Sequence, residues 1–157
     1  MTRLLILSDS HGNNTNIERI IKEYNNGFDI IFHLGDISSD IENYINKYRC
    51  YVVIGNIEHK DTSHFARYEI ETVIESVNIL ATHGNRYQVK NGSVVLFDRA
   101  KETNADLVLF GHTHEQSLYQ KDNITFFNPG ALKNGDYGFI TLENGVVIGV
   151  NHLKLRL

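Results

Sequence analysis

Leu4-Leu5-Ile6-Leu7-Ser8-Asp9-Ser10-His11-Gly12-Asn13 is the stretch on which the fold turns. Four consecutive apolar residues bounded by polar ones read as a buried strand. Beyond it, Ile17, Ile20, Ile21 and Tyr24 recur at the spacing of one helical face, with Thr15 and Glu18 in the pattern of a capping box. The unit then repeats. Ile30-Ile31-Phe32 is a second strand, Ile41, Tyr44, Ile45 and Tyr48 form a second helical face behind a Ser39/Glu42 capping box, and Tyr51-Val52-Val53-Ile54 is a third strand. Strands joined through helices pair in parallel, with connections that are right-handed in nearly all cases.

Working outward, the second half is richer in strands. Tyr68 to Ile74 and Val77 to Ala81 read as a hairpin around Glu75-Ser76, and a helix follows over roughly Ser93 to Thr103 with Leu96 and Ala100 on one face. Leu107-Val108-Leu109-Phe110 is another buried run. Ser117 to Gln120, Ile124 to Phe127, and the pair Phe139 to Leu142 and Val146 to His152, turned by Asn144-Gly145, complete the set. The expected architecture is α/β, two packed sheets flanked by helices, in a single domain over residues 1–157.

Composition narrows the functional classes. With 15 Lys+Arg against 19 Asp+Glu the formal charge is −4, so the basic footprint of a long nucleic-acid partner or an anionic membrane is missing. The single cysteine, Cys50, excludes an internal disulfide framework and a cysteine-rich zinc site, and fits a reducing cytoplasm. No apolar run approaches the ~20 residues of a membrane span. Met1-Thr2-Arg3 leads into only four apolar residues before Ser8, too few for a secretory signal, so a cytoplasmic location is expected. Eight histidines are the one surplus, and the imidazole is the commonest metal ligand.

Five apolar runs end in polar clusters: Asp9-Ser10-His11, Gly35-Asp36, Gly55-Asn56, His83-Gly84 and Gly111-His112-Thr113-His114. In a parallel α/β sheet the carboxyl ends of the strands open onto the ligand crevice, so the five clusters are expected to converge. Singly, Gly35-Asp36 and Gly55-Asn56 are ordinary turn dipeptides, Asp9 and His11 a polar turn, and His83 a hydrogen-bonded strand end. Together they supply two carboxylates, four imidazoles and one amide oxygen, a set suited to Mn, Fe, Co, Ni or Zn and poorly suited to Ca. Seven donors exceed the needs of one tetrahedral ion, and a bridging carboxylate would let them serve two. Asp36, in the middle of the set, is the candidate bridge. In an extended chain His112 and His114 would share a side and serve one site together.

This ordered set resembles the calcineurin-like metallophosphoesterase superfamily, whose signature runs DxH, GD, GN, a later H and GHxH, and within it the small single-domain YfcE-type phosphodiesterase branch. The likeness runs from Ile6 through Asn128-Pro129-Gly130. It implies a four-layer αββα fold with two mixed sheets. It assigns Asp9, His11, Asp36 and His114 to one metal and Asp36, Asn56, His83 and His112 to the other, with Asp36, Asn56 and His83 closest to the chemistry. It implies two divalent ions, Mn first, with Ni, Fe, Co and Zn as alternatives, and attack on phosphorus by a hydroxide held between them.

Departures from the pattern shape the expected substrate. Ile57 stands where many members carry a His, which removes an obvious general acid and favours small phosphodiesters over monoesters. Glu58 replaces the commoner Asp and reads as support for Asn56 or its neighbours. Asn85 stands where small members often have a second His; it can hydrogen-bond to phosphate but cannot shuttle a proton. His59 could substitute in part. Arg86 and Lys90 read as solvated charges that could reach a phosphate, His33 as a core or sub-site histidine, His64 and His152 as surface or hydrogen-bonded, Cys50 as a packed hydrophobe, and Asn128-Pro129-Gly130 as a turn near the rim. The expected partner is a small phosphoester, with no long nucleic acid and no membrane, and a homo-oligomer is left open. Alternatives are a phosphomonoesterase, a nuclease, or a non-catalytic scaffold like the small retromer subunit of this fold, whose mark would be lost ligands. All seven are present.

Overall fold

Leu4 and Ile6 point to one side of their strand and Leu5 and Leu7 to the other, and all four are fully buried. That alternation already requires a covering layer on each face. In the computed structural model, which describes residues 1–156, the elements in chain order are β1 (Thr2–Leu7), α1 (Asn14–Tyr24), β2 (Ile30–His33), β3 (Arg49–Val53), β4 (Ala66–Arg67), β5 (Glu69–Ile74), β6 (Val77–Thr82), α2 (Val94–Glu102), β7 (Leu107–Leu109), β8 (Gln116–Lys121), β9 (Ile124–Pro129), β10 (Asp136–Glu143) and β11 (Val146–Lys154). One sheet has the order β11-β10-β1-β2-β3-β4 and the other β5-β6-β7-β9-β8. Strands β1 to β4 run parallel, as do β6, β7 and β9. Both sheets therefore send a set of carboxyl ends toward one seam.

The layers follow from which face each side chain takes. Leu4, Ile6, Phe32, Ile79, Leu109 and Phe127 meet between the sheets. Leu5, Leu7 and Ile31 pack against Ile17 and Ile20 of α1, while Leu80, Val108 and Phe126 pack against Leu96, Phe97 and Ala100 of α2. The result is helix, sheet, sheet, helix, the expected four layers. Each such side chain contributes about 1.5–3 kcal/mol by burial. The two hairpins also form as expected: Glu75 and Ser76 (φ 51° and 62°) turn β5 into β6, and Asn144 and Gly145 (φ 50° and 80°) turn β10 into β11.

Both expected capping boxes are corrected. Helix α1 is capped by Asn13, whose side chain accepts from the Asn16 N–H at 3.1 Å, and Glu18 pairs with Lys22 instead. The second helix is a 3-10 segment over Ser38–Tyr44 without a side-chain cap. Tertiary bonds explain this: the Ser38 N–H and hydroxyl are drawn to Glu58, Asp40 is drawn to the β1 loop, and Glu42 pairs with Lys60 at 2.6 Å. Asn128 and Pro129 are likewise the buried end of β9 rather than a free turn.

A buried relay ties the ends of β1 and β2. The Ser10 hydroxyl donates to Asp40 Oδ2 (2.7 Å), so it must accept from His33 Nε2–H (2.8 Å), while His33 Nδ1 accepts from the Gly35 N–H (3.3 Å). Asp40 also accepts from the Gly12 N–H at 2.7 Å. His33 is thus a satisfied core histidine, held neutral. Its burial, then the charge of His83, drive its pKa down to about 3. On the far side of the seam Phe127 stacks on His152 and lies directly against Gly138, where a Cβ would enter the Phe127 ring and come 2.9 Å from the Asn151 carbonyl.

Two outcomes follow from this packing. Gly138→Val overfills the inter-sheet core and lowers stability by about 1–3 kcal/mol, read as a fall in Tm of several degrees. Because the His33 pKa lies below its unfolded value, its contribution is fully present above about pH 6.5 and is lost as pH falls toward 3. In urea titrations with chelator present, His33→Gln loses about 2 kcal/mol less than the wild type between pH 7 and pH 5.

Candidate metal centre

Four of the five strand ends bring their candidate ligands together, those of β1 and β2 in one sheet and of β6 and β7 in the other, and the loop after β3 reaches them through its backbone, the Ile57 N–H donating to Asp36. Ligand-type atoms of Asp9, His11, Asp36 and His114 lie within 4.8 Å of one another, as do those of Asp36, His83 and His112. Asp36 belongs to both groups, the place expected for the bridge. Its Oδ2 is 3.3 Å from His11 Nε2 and its Oδ1 is 3.3 Å from His83 Nε2.

The backbone here is wound unusually tightly. Asp9, His11, Asp36, His112 and His114 all have positive φ, between 49° and 71°, a region that costs a non-glycine residue about 1–3 kcal/mol. His112 and His114 are therefore not in extended chain. They part, His112 Nδ1 lying 3.2 Å from His83 Nε2 and His114 Nε2 3.1 Å from Asp9 Oδ1. Neighbouring bonds hold the strain: Asp9 N–H donates to the Gly35 carbonyl (2.9 Å), Lys133 N–H to the Asp9 carbonyl (3.2 Å), and Gly111 N–H to the His83 carbonyl (2.9 Å). Gly35, at φ 103°, admits no side chain, since a Cβ would sit 2.8 Å from both Gly55 N and His83 Nδ1.

Each donor is aimed by its other atoms. Asp9 Oδ2 accepts from the Ser8 hydroxyl (2.5 Å) and the His112 N–H (3.1 Å), which turns Oδ1 inward. His83 Nδ1–H donates to the Leu34 carbonyl at 2.8 Å, which aims Nε2 at the centre, where it would give its lone pair to a bound cation and otherwise pairs with Asp36. Burial disfavours charge on Asp36, yet its hydrogen bond to His83, that ring's charge and the Ile57 N–H hold its carboxyl well below the usual range. Burial likewise works against a charged His83, but Asp36 and Asp9 outweigh it and raise its pKa. His112 is lowered by burial, then by His83 and Lys90, and His114 by burial, then by Lys133, His11 and Lys90. Both shifts favour the neutral ring, the form that ligates.

Glu58 supports the neighbours of Asn56, the backbone of Asp36 and Gly55. Its Oε2 accepts from Asp36 N–H (3.2 Å) and Gly55 N–H (2.8 Å), and its Oε1 from Ser38 N–H (2.6 Å) and the Ser38 hydroxyl (2.8 Å). Asn56 itself is exposed between Gly55 and Ile57, beside the Ile57 N–H that binds Asp36 at 3.0 Å. Asn85 is half-buried where it opens a 3-10 turn, and His59 is exposed on the loop after Glu58. Sequence reading passed over three supports. Asp40 lies inside the expected Ser39/Glu42 capping box, Ser8 looks like a loop residue, and Asn128 like a turn, although its amide donates to the Gly111 carbonyl (3.2 Å) and Thr113 Oγ1 (2.9 Å) and so braces the His112–His114 loop. The available signal was His33, a polar residue in an apolar strand that had to have a partner.

The donor set fits divalent metal binding. Asp9 Oδ1 and His11 Nε2 are buried without a hydrogen-bond partner among the described residues, and they face each other at 3.7 Å. Orphaned acceptors of this kind are costly unless a cation or proton takes them. Two carboxylates and four imidazoles, gathered in two groups that share Asp36, match a borderline divalent metal.

Comparison with known proteins agrees. The family model of the calcineurin-like phosphoesterase superfamily domain matches residues 2–144. A probable metallophosphoesterase of Bacillus subtilis, YsnB, is 30% identical over 148 residues, covering 90% of this chain and 85% of that protein. Among solved structures, a predicted phosphoesterase from Streptococcus pneumoniae superposes with TM-score 0.79 at 25% identity, covering 98% of this chain and 89% of that one. An archaeal phosphodiesterase reaches TM-score 0.79 at 21% identity over 98% and 99%, and Vps29 of Entamoeba histolytica, solved with zinc, 0.77 at 14% over 98% and 98%; these two show the shared fold. With its five motifs in order and its strand ends gathered at one seam, this chain belongs to the calcineurin-like metallophosphoesterase superfamily.

Proposed function

We propose that the protein hydrolyses small phosphodiesters with two divalent cations, Mn the first candidate. The observation that carries this reading is the pair of ligand groups sharing Asp36, with two of their buried acceptors unpartnered. Asp9, His11, Asp36 and His114 would hold one ion, and Asp36, Asn56, His83 and His112 the other. Such a pair supplies Lewis acidity to the phosphoryl oxygens and lowers the pKa of bound water.

The residues do the rest by position. Asp36 and Asp9 bring buried negative charge to the seam and keep the cations there. His83, locked on the Leu34 carbonyl, cannot turn its lone pair away. Glu58 and Asp40 hold the two aspartate loops in their strained shapes without reaching the centre. Ile57, 43% exposed, sits where its N–H binds Asp36 and offers no proton to a leaving alcohol. Activated diesters are therefore favoured over esters of poor leaving groups. Two divalent cations would formally cancel the chain's −4, so its acidity is no obstacle to an anionic substrate. Among the described residues no helix is long and apolar enough to cross a membrane.

The deciding experiment strips the protein with chelator, restores Mn, and measures hydrolysis of an activated aryl phosphodiester and monoester beside Asp36→Asn. Activity should fall by at least ~100-fold on stripping or in the variant, and saturating Mn should raise stability by about 2.7 kcal/mol at a hundredfold excess over Kd. Metal-independent turnover, or full activity in Asp36→Asn, overturns the mechanism; no turnover with any metal promotes the scaffold reading. A second outcome concerns Ile57→His. It should raise turnover of esters with poor leaving groups by about tenfold or more, within the range general acids supply, with a new pH-dependent limb.

A further inference from the structure

Beside the centre lies a cavity of about 400 Å³ that none of the metal chemistry uses. It shares Asn56 and Glu58 with the site and runs outward along Lys60, Asp61 and Ser63 to the ring of Tyr68. The size suits one small organic group, at the lower end of the ~300–1,000 Å³ typical of ligand pockets.

Topology places Tyr68 deliberately. It follows β4, which runs parallel to β3, so it emerges at the same end as Gly55-Asn56. It also precedes Glu69, which pairs with Thr82, the residue before His83. Tyr68 thus stands where the chain crosses from one sheet to the other, between the Asn56 and His83 loops. Its ring is 56% exposed, and the Arg86 guanidinium lies over it at 4.9 Å. Arg86 makes no ion pair among the described residues, so the stacked contact is what orients ring and cation together.

The charge of the lining selects the occupant. Lys60 is already paired with Glu42 at 2.6 Å, which leaves Asp61 and Glu58 as the carboxylates around the cavity. A neutral, planar group that stacks on an aromatic face and carries N–H donors toward acceptors is suited to it. On the reading of the centre as a phosphodiesterase, we propose that this cavity is the subsite for one alcohol portion of the diester and takes a nucleobase against Tyr68. A base stacked on an aromatic side chain gains about 1–3 kcal/mol, which corresponds to ~5–150-fold in affinity.

The test compares the Mn-loaded protein with Tyr68→Leu and Tyr68→Phe on the p-nitrophenyl phosphodiesters of methanol, phenol and adenosine. In the wild type kcat/KM should rise in that order. The adenosine-to-methyl ratio should fall by ~5-fold or more in Tyr68→Leu and persist in Tyr68→Phe. A ratio unchanged in Tyr68→Leu overturns the subsite, and a phenyl ester equal to the adenosine ester overturns the nucleobase in favour of any aryl group. Calorimetry with adenosine monophosphate and methyl phosphate separates this proposal from the catalytic reading. If no ester is hydrolysed, the phosphodiesterase reading fails, while tighter binding of adenosine monophosphate that Tyr68→Leu abolishes still supports the subsite; equal binding of the two phosphates removes it.

Discussion

Two carboxylates buried side by side at the seam of two sheets are the constraint on which this molecule is built. Asp9 and Asp36 are fully buried, and burial of paired negative charge is costly unless cations or donors answer it. The surrounding structure answers with imidazoles on every side and with backbone N–H groups from His112 and Ile57. Asp9 Oδ1, buried without a hydrogen-bond partner among the described residues, faces His11 and His114. A site of this form is organised for a positive ion before it is organised for any substrate.

Holding those groups in place explains much of the remaining architecture. Five of the donors sit at positive φ, a conformation their local sequence does not favour, and the loops that carry them are fastened from behind. Asp40 and the His33–Ser10 relay fasten the β1 loop, Glu58 fastens the β2 and β3 loops, and Asn128 fastens the loop after β7. The same demands distort the chain elsewhere. The segment after Asp36 winds as a 3-10 helix because its first turn is bonded to Glu58 and the β1 loop rather than capped by its own side chains.

Much of this was legible in residue order. The apolar run Leu4-Leu5-Ile6-Leu7 and the repeated strand-to-helix unit announce parallel pairing, and the hairpins at Glu75-Ser76 and Asn144-Gly145 form where turn chemistry places them. The seven candidate ligands stand out as polar clusters ending apolar runs. The supports did not stand out, because Asp40 lies inside the expected Ser39/Glu42 capping box, Asn128 looks like a turn and Ser8 like a loop. Asp40 bonds to Ser10 and Gly12 across 30 and 28 residues and Asn128 to Gly111 across 17, and spacing patterns report only neighbours.

The sequence by itself determined the parallel core strands, the two α-helices and the residue types offered to a metal, because these depend on periodicity and on residue type. Only the tertiary structure decided how the donors divide. His112 and His114, two residues apart, face different partners because their backbone is left-handed rather than extended, and Asp36 joins both groups because β2 ends at the seam. It also decided that Tyr68, unremarkable in sequence, stands at the crossing between the sheets beside the centre. Such facts belong to the close approach of chain segments far apart in order, and no local pattern encodes them.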